Sequence, residues 1–137
     1  MNYLLDTNVI SDLRRPDRAS IQFRDWTRKR HAEDMCISVV SVLEIEEGIR
    51  LKERQDKGQG LLLREWFERN ILTQFEERIL PVDIAIARRC AGLHVPNQLS
   101  YRDAFIAATA LVHDLILVTR NVKDFHTSGA KVINPWD

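Results

Sequence analysis

Short apolar segments that alternate with segments of helical periodicity constrain the fold of this 137-residue chain more than any other feature. The apolar segments span residues 3–5, 37–40, 79–82, 115–119 and 131–133. Their content of Val, Ile and Leu is typical of strands buried inside a parallel sheet. Strands that alternate with helices predict an α/β fold with a largely parallel sheet and right-handed crossovers.

Helix signals fall between the apolar segments. We predict helices at 9–13, 42–56, 61–78 and 103–113, one that Ser20 caps, and one that Asp83 caps and that runs to about residue 93. Pro81 places the 79–82 strand at an edge of the sheet, because proline cannot donate to a neighbouring strand. The segment 94–100 reads as a loop. No repeat or linker interrupts the chain, so we expect one domain over residues 1–137.

Composition limits the classes of function. Twenty basic and twenty acidic residues cancel, so no overall positive charge indicates nucleic acid binding, although a local basic rim remains compatible with it. The sequence shows neither a basic leader segment nor a long apolar segment. We therefore predict neither export nor a membrane span, and we expect a cytoplasmic protein. Cys36 and Cys90 are too far apart for a metal or redox motif, so we expect buried free thiols.

Acidic and amide side chains lie at the points where predicted strands end and helices begin. Asp6 follows the first strand, Glu44 the second, Asp103 opens the helix 103–113, and Asn121 and Asp124 follow the strand 115–119. The carboxyl ends of parallel strands lie at one edge of the sheet, so we expect these side chains to converge. Converging carboxylates repel one another unless a cation lies between them, and Mg²⁺ and Mn²⁺ prefer oxygen ligands. The pattern indicates metal-dependent chemistry.

Helix capping is the alternative explanation for the same residues. Asp6 is a capping type, and Asp103 in a first turn is stabilised by the helix dipole. Ser41 and Glu44 have the spacing of a capping box, and Asp124 fits a turn. Spacing alone favours the metal site only modestly, so both interpretations stay open on these grounds.

Four ordered blocks surround these acids: LLDTNVIS at 4–11, ISVVSVLEI at 37–45 with Gly48 after it, DAFIAATA at 103–110, and LVTRNVKDF at 117–125. The segments ILPVD at 79–83 and NPW at 134–136 accompany them. Together they resemble the PIN-domain family from end to end, and within it the VapC/FitB-like toxin ribonucleases of type II toxin–antitoxin systems. The resemblance implies a three-layer α/β/α fold with a mainly parallel central sheet of about five strands.

The resemblance also implies roles for the acids. Asp6, Glu44 and Asp103 match the family's three dependable acidic positions, as catalytic and metal-binding residues. Many members carry Asp directly after the Thr–Arg pair, where this chain has Asn121. We expect the fourth role to pass either to Asn121, as a neutral oxygen donor, or to Asp124, which is also a catalytic candidate.

Residues near the acids in the sequence are expected to orient these acids or to contact the RNA. We expect Thr7 and Asn8 to orient Asp6 and a metal-bound water, with Thr119 acting similarly nearby. Basic side chains that could guide an RNA backbone are Arg102, Arg120 and Lys123 beside the acids, and Arg14, Arg15 and Arg18 after the first helix. The aromatic residues Trp66, Phe67, Phe75 and Trp136 are expected to pack rather than stack on bases.

The function implied by the resemblance is Mg²⁺- or Mn²⁺-dependent cleavage of RNA by the toxin of a type II pair. Its implied partners are an RNA substrate, a small antitoxin and a second copy in a homodimer or larger assembly, with operator DNA bound only through the antitoxin. One alternative is a catalytically weak module that acts mainly through such an operator-binding complex. Another, a flavodoxin-like phosphoacceptor, lacks a glycine-rich phosphate loop and leaves Glu44 unexplained.

Overall fold

A five-stranded, all-parallel sheet forms the centre of the computed structural model, which describes residues 2–15, 20–95 and 99–137. The strands are β1 (Tyr3–Leu5), β2 (Met35–Ser38), β3 (Ile79–Leu80), β4 (Ile116–Val118) and β5 (Val132–Ile133), in the order β3-β2-β1-β4-β5. The predicted α/β fold with a parallel sheet is confirmed, and β3 lies at an edge as Pro81 indicated. Arg18 and the predicted loop around Pro96 and Asn97 lie outside the described residues.

The helices connect these strands. They are α1 (Thr7–Asp12), α2 (Ile21–Arg28), α3 (Val39–Gln55), α4 (Lys57–Trp66), α5 (Ile84–Leu93), α6 (Tyr101–Val112) and α7 (Val122–Phe125), with a π-helical turn at Phe67–Leu72 and 3₁₀ turns at Ala32–Asp34 and Glu76–Arg78. Ser20 and Asp83 cap α2 and α5 as predicted. None of the helices in the described ranges is long and apolar enough to cross a membrane.

Alternating side chains of the strands build a core on each face of the sheet, as the period of two in a strand requires. On one face Leu5, Ile37 and Val118 pack with residues of α1, α2, α3 and the π-helical turn, including Phe23 and Phe67. On the other face the core joins strand residues and α6, through Leu4, Cys36, Leu117, Ile106 and Ala107. These two cores give the three-layer α/β/α arrangement.

The start of α3 differs from the prediction. The strand β2 ends at Ser38 rather than Val40, and the Ser38 hydroxyl accepts a hydrogen bond from the Val40 N–H at 3.0 Å. Ser41 is therefore a buried residue inside α3 and not its cap. Val39 and Val40 are β-branched and favoured a strand on propensity alone, but the Ser38 cap begins the helix before them.

The predicted helix 61–78 was also wrong in its bounds. Asp56 caps α4, accepting from the Gln59 N–H at 3.1 Å, so the glycine-containing segment before residue 61 is helical. Gly60 allows α4 to approach α3 closely, because a Cβ there would lie 2.7 Å from the Glu53 Cα. Arg64 adds ion pairs from α4 to Glu46 and Glu53 on α3 at 2.8 and 2.9 Å. The close approach at Gly60 and these ion pairs hold α3 and α4 together.

Candidate functional site

Asp6 occupies the junction of β1 and α1 and is 6% exposed. Its Oδ1 accepts from the Thr7 N–H at 2.8 Å, so Asp6 is a helix cap, as one interpretation predicted. Its Oδ2 accepts from the Thr119 hydroxyl at 2.7 Å, at the end of the neighbouring strand β4. The capping contact uses one lone pair of the carboxylate, so capping and a role at the site are compatible.

Thr119 and Asn8 hold this carboxylate in a closed network. The Asn8 amide nitrogen donates to Asp6 Oδ2 and to Thr119 Oγ1, both at 3.3 Å, while its oxygen accepts from the Arg120 N–H at 3.2 Å. Thr119 Oγ1 also accepts from the Asn121 N–H at 3.0 Å. The fully buried Thr119 hydroxyl thus donates once and accepts twice. Asp6 is oriented by partners from the start of α1 and from the residue that follows β4.

Glu44 reaches the same edge from the second turn of α3 and is partly buried. The Thr7 hydroxyl lies 2.9 Å from both Glu44 Oε1 and Ser41 Oγ. Since Thr7 has one hydroxyl proton, both contacts are satisfied when Ser41 donates to Thr7 and Thr7 donates to Glu44. The predicted capping box of Ser41 and Glu44 is wrong, because Ser38 caps α3.

Asp103 and the β4–α7 junction complete the acidic edge. Asp103 lies in the first turn of α6, partly buried, with its N–H donating to the capping Ser100 hydroxyl at 3.2 Å. Asp124, exposed on α7, is near enough for its charge to raise the pKa of both Asp6 and Asp103. Asn121 precedes α7, and its side chain makes no capping hydrogen bond. We name Asp6, Glu44, Asp103 and Asp124 the acidic edge.

Negative charge is concentrated at the acidic edge. Burial is the main cause that raises the pKa of Asp6, Glu44 and Asp103, and repulsion from neighbouring acids adds to it. The hydrogen bonds from Thr119 and Thr7 act in the opposite direction on Asp6 and Glu44. Clustered carboxyl groups with raised pKa values are typical of functional sites.

The donor chemistry of the acidic edge fits a hard divalent ion, since every side-chain donor is an oxygen. Across the described ranges, no three side chains among His, Cys, Asp and Glu already lie together in a geometry that would hold a metal. The residues fit Mg²⁺ or Mn²⁺ in chemical type, and their carboxylates would have to turn about their side-chain torsions to coordinate it.

The basic residues predicted to guide RNA differ in their contacts. Arg102 pairs with Glu47 at 2.8 Å and lies 4.0 Å from Glu44. Arg120 pairs with Asp12 at 2.8 Å and lies over the Trp136 ring at 4.2 Å. Lys123 lines a cleft of about 460 Å³ together with Asn121 and Asp124.

The aromatic residues pack against the protein core, as predicted. Trp136 stacks on Phe23 with the ring centroids 4.7 Å apart. Phe67 and Phe75 are buried in the core, and Trp66 packs against it while staying partly exposed. Both cysteines are buried free thiols, as expected.

Sequence reasoning missed two sets of residues. Ser41, assigned as a cap, instead stands behind Thr7 and Glu44. Lys52 lines a cleft with Arg14 that reaches Thr7 and Glu44, and it was not singled out. The spacing of three between Ser41 and Glu44 was the available signal for the first, since residues at i and i+3 share a helix face.

Comparison with known proteins identifies the family. A model of the PIN domain matches residues 3–127. The plasmid stability protein StbB of Pseudomonas syringae pv. tomato is 36% identical, with 98% of each protein aligned. Toxin FitB of Neisseria gonorrhoeae is 35% identical over 97% of each protein. VapC ribonuclease Y4jK of Sinorhizobium fredii is 30% identical over 98% of this chain and 97% of that protein.

Solved structures agree with these sequence matches. FitAcB from Neisseria gonorrhoeae gives a TM-score of 0.88 at 33% identity and covers 98% of both chains. FitAB bound to an IR36 DNA fragment gives a TM-score of 0.87 at 33% identity, covering 98% of this chain and 96% of that one. The family model, the full-length relatives and the shared fold together establish that this chain belongs to the PIN domain family, with FitB-like and VapC-like toxins among its relatives.

Proposed function

We propose that this chain is a divalent-metal-dependent endoribonuclease that acts as the toxin of a type II toxin–antitoxin pair. The observation that carries the proposal is the acidic edge, to which the β1–α1 junction, α3, α6 and α7 each contribute one carboxylate, giving an all-oxygen donor set. The raised pKa values of Asp6, Glu44 and Asp103 support a site that requires a cation. Relatives named VapC ribonuclease and toxin FitB support RNA as the substrate and toxicity as the outcome.

In this proposal Asp6, Glu44 and Asp103 hold Mg²⁺ or Mn²⁺, and Asp124 or Asn121 fills the fourth position. A bound divalent ion supplies a water of lowered pKa and positive charge opposite the scissile phosphate. The carboxylates are ligands and need not transfer protons themselves, so no histidine is required.

The surrounding residues set the geometry of these carboxylates. Thr119 and Asn8 donate to one oxygen of Asp6 and the Thr7 N–H donates to the other, so one acceptor site on that second oxygen remains for a cation. The Thr7 hydroxyl holds one oxygen of Glu44 at 2.9 Å. Arg102 lies 4.0 Å from the other oxygen, and its charge partly offsets the rise in the pKa of Glu44 that burial causes. These contacts preorganise the ligands before a cation binds.

The proposed partner is a small antitoxin that covers the acidic edge with a basic side chain. Solved relatives are FitAB complexes, one of them bound to DNA, and we expect operator DNA to contact this chain only through its antitoxin. Exposed leucines on α3 and α4 offer apolar surface for the antitoxin or for a second copy in a homodimer or larger assembly: Leu43, Leu51, Leu61 and Leu62. We expect the protein to act in the cytoplasm, where its RNA substrates are.

A second candidate function is a catalytically weak module that acts mainly within an operator-binding complex. The DNA-bound FitAB structure favours it, as does Asn121 at a position where many family members carry aspartate. The two candidates differ in whether the isolated chain cleaves RNA.

The test is cleavage of a mixed RNA substrate by the purified chain with Mg²⁺ or Mn²⁺. We expect cleavage that EDTA abolishes and that falls at least about 100-fold in Asp6→Asn and Asp103→Asn, since a lost metal ligand removes most of the metal's contribution. Asp25→Asn, an exposed acid on α2 outside the edge, is the matched control and should keep full activity. Cleavage that survives both edge substitutions would show that the acidic edge is not the active site.

A growth assay separates the two candidates. Expression of the wild type alone should arrest growth, and co-expression of the neighbouring antitoxin frame should restore it. Equal growth with wild type and Asp6→Asn, combined with no cleavage by the purified chain, would favour the operator-binding module.

A further inference from the structure

A groove runs from the acidic edge between α1, α3 and α4. Two adjoining cavities of about 380 and 340 Å³ form it, and they share the lining residues Ser11, Arg14, Lys52 and Leu63. Its inner end includes Thr7 and Glu44. Each cavity lies in the range of about 300–1,000 Å³ that holds small ligands. We call it the basic groove, defined by Arg14, Arg15, Lys52, Gly48, Leu63 and Trp66.

The outer part of the basic groove is positively charged. Arg14, Arg15 and Lys52 line it, and neither Arg15 nor Lys52 forms an ion pair with a residue in the described ranges. The acid in this part, Asp12, is already paired with Arg120 at 2.8 Å. A strip of cations that leads away from a metal-binding carboxylate cluster matches the charge of a phosphodiester chain, which must lie near both.

The inner part of the basic groove has an apolar wall. Leu63 and the partly exposed Trp66 form it from α4, opposite Gly48 of α3. A Cβ added at Gly48 would meet nothing within 4 Å, so the absent side chain leaves open space there. An aromatic and aliphatic wall beside a row of cations is the combination that binds single-stranded nucleic acid, through base stacking and phosphate contacts.

We propose that the basic groove binds the RNA strand adjacent to the scissile phosphate. Arg14, Arg15 and Lys52 contact successive phosphates, and one base lies against Leu63 and Trp66 in the space above Gly48. This assignment rests on the proposed ribonuclease function and adds the path of its substrate. RNA fits better than a protein segment, because the cations are continuous with carboxylates that act on phosphodiesters.

Gly48 gives a clean steric test. Gly48→Leu would fill the inner part of the groove without a backbone clash, and it should also strengthen α3, because leucine is the better helix former. Gly92→Leu is the matched control: this exposed glycine on α5 also has nothing within 4 Å of a Cβ. Circular dichroism and melting temperatures should show both variants folded, so that a change in binding reports the groove alone.

Binding is measured by fluorescence anisotropy with a labelled, mixed-sequence single-stranded RNA of about 12 nucleotides, near the site size of single-strand binders. All variants carry Asp103→Asn and are studied with Mg²⁺, so that the RNA stays intact. We expect Gly48→Leu to weaken binding about 10-fold, the loss typical of one stacked base, and Gly92→Leu to change it less than about 2-fold.

Charge is tested separately through the salt dependence of the same assay. Arg15→Gln combined with Lys52→Gln should reduce the slope of log affinity against log salt by about 1.4, since each lost contact to a single strand removes about 0.7. Lys29→Gln combined with Arg88→Gln removes two exposed cations away from the groove and should leave the slope unchanged.

The outcomes separate this inference from the proposed function. Groove-dependent binding in a chain whose wild type does not cleave RNA would support the groove and contradict the ribonuclease. Metal-dependent cleavage with equal binding by Gly48→Leu and Gly92→Leu would overturn the groove and leave the ribonuclease standing. Normal RNA binding by Gly48→Leu, together with loss of neutralisation by a co-expressed antitoxin, would assign the groove to a protein segment and overturn the RNA path.

Discussion

Replacing Thr119 by valine tests how the acidic edge is held. The Thr119 hydroxyl is fully buried, donates to Asp6 at 2.7 Å and accepts from Asn8 and from the Asn121 N–H. Valine keeps the shape of the side chain and removes all three hydrogen bonds. The substitution therefore isolates the polar network from the packing around it.

The expected cost follows from these contacts. A hydrogen bond to a charged group contributes about 1.5–3 kcal/mol, and the neutral partners lose less because they lie nearer water, so we expect a loss of about 2 kcal/mol. For 137 residues the entropy of unfolding near the melting temperature is about 0.3 kcal/mol per kelvin, so the melting temperature should fall by about 7 °C. The same hydrogen bond lowers the pKa of Asp6, so its loss raises that pKa further.

The assay joins thermal unfolding with the pH profile of RNA cleavage. Thr119→Val should lower the melting temperature and move the acid limb of activity to higher pH, because protons compete with the metal for Asp6. Thr109→Val is the matched control: this hydroxyl is equally buried but donates only to the Phe105 carbonyl within α6. An unchanged acid limb in Thr119→Val, or an equal shift in Thr109→Val, would refute the role of Thr119 in holding Asp6.

Other predictions follow from the same contacts. Asp103→Asn should raise the melting temperature near pH 7 while abolishing cleavage, because it removes repulsion among buried acids; a lower melting temperature would contradict this. The raised pKa of Asp103 means that stability from its protonated form is present at low pH and is lost as pH rises from 3.8 through the raised value. The gain from Asp103→Asn should therefore shrink towards about pH 4 in melting experiments, and a constant gain would argue against it. Gly60→Ala should destabilise the chain by about 1–3 kcal/mol in urea unfolding, because its Cβ would meet the Glu53 backbone, whereas Gly58→Ala should be neutral or stabilising.

The pattern of apolar segments predicted the parallel sheet, because the burial of a strand on both faces shows in its local composition. Helix starts were harder to predict. Two serines flank Val39 and Val40, and either one can cap a helix, so local propensity did not distinguish a strand to residue 40 from a helix that begins at residue 39. Ser38 takes the cap position because its hydroxyl accepts a hydrogen bond from the Val40 N–H, and this contact exists only in the folded chain.

The sequence predicted that the acids lie at one edge of the sheet and that Thr7, Asn8 and Thr119 contact Asp6, but it did not predict every supporting contact. Parallel strand ends share an edge, which is sufficient to group Asp6 with the β4–α7 junction. The pairing of Thr7 with Glu44 spans 37 positions and depends on how α1 packs against α3. The basic groove depends on the close approach of α4 to α3 at Gly60, which no single segment of sequence encodes.

The most direct test of the central claim is an anomalous difference map from crystals of the wild-type chain soaked in Mn²⁺. The account predicts a manganese peak between the carboxylates of Asp6 and Asp103, with Glu44 or Asp124 turned towards it, and no such peak in Asp103→Asn. A chain that cleaves RNA yet shows no manganese at the acidic edge, or shows it only elsewhere, would contradict the account.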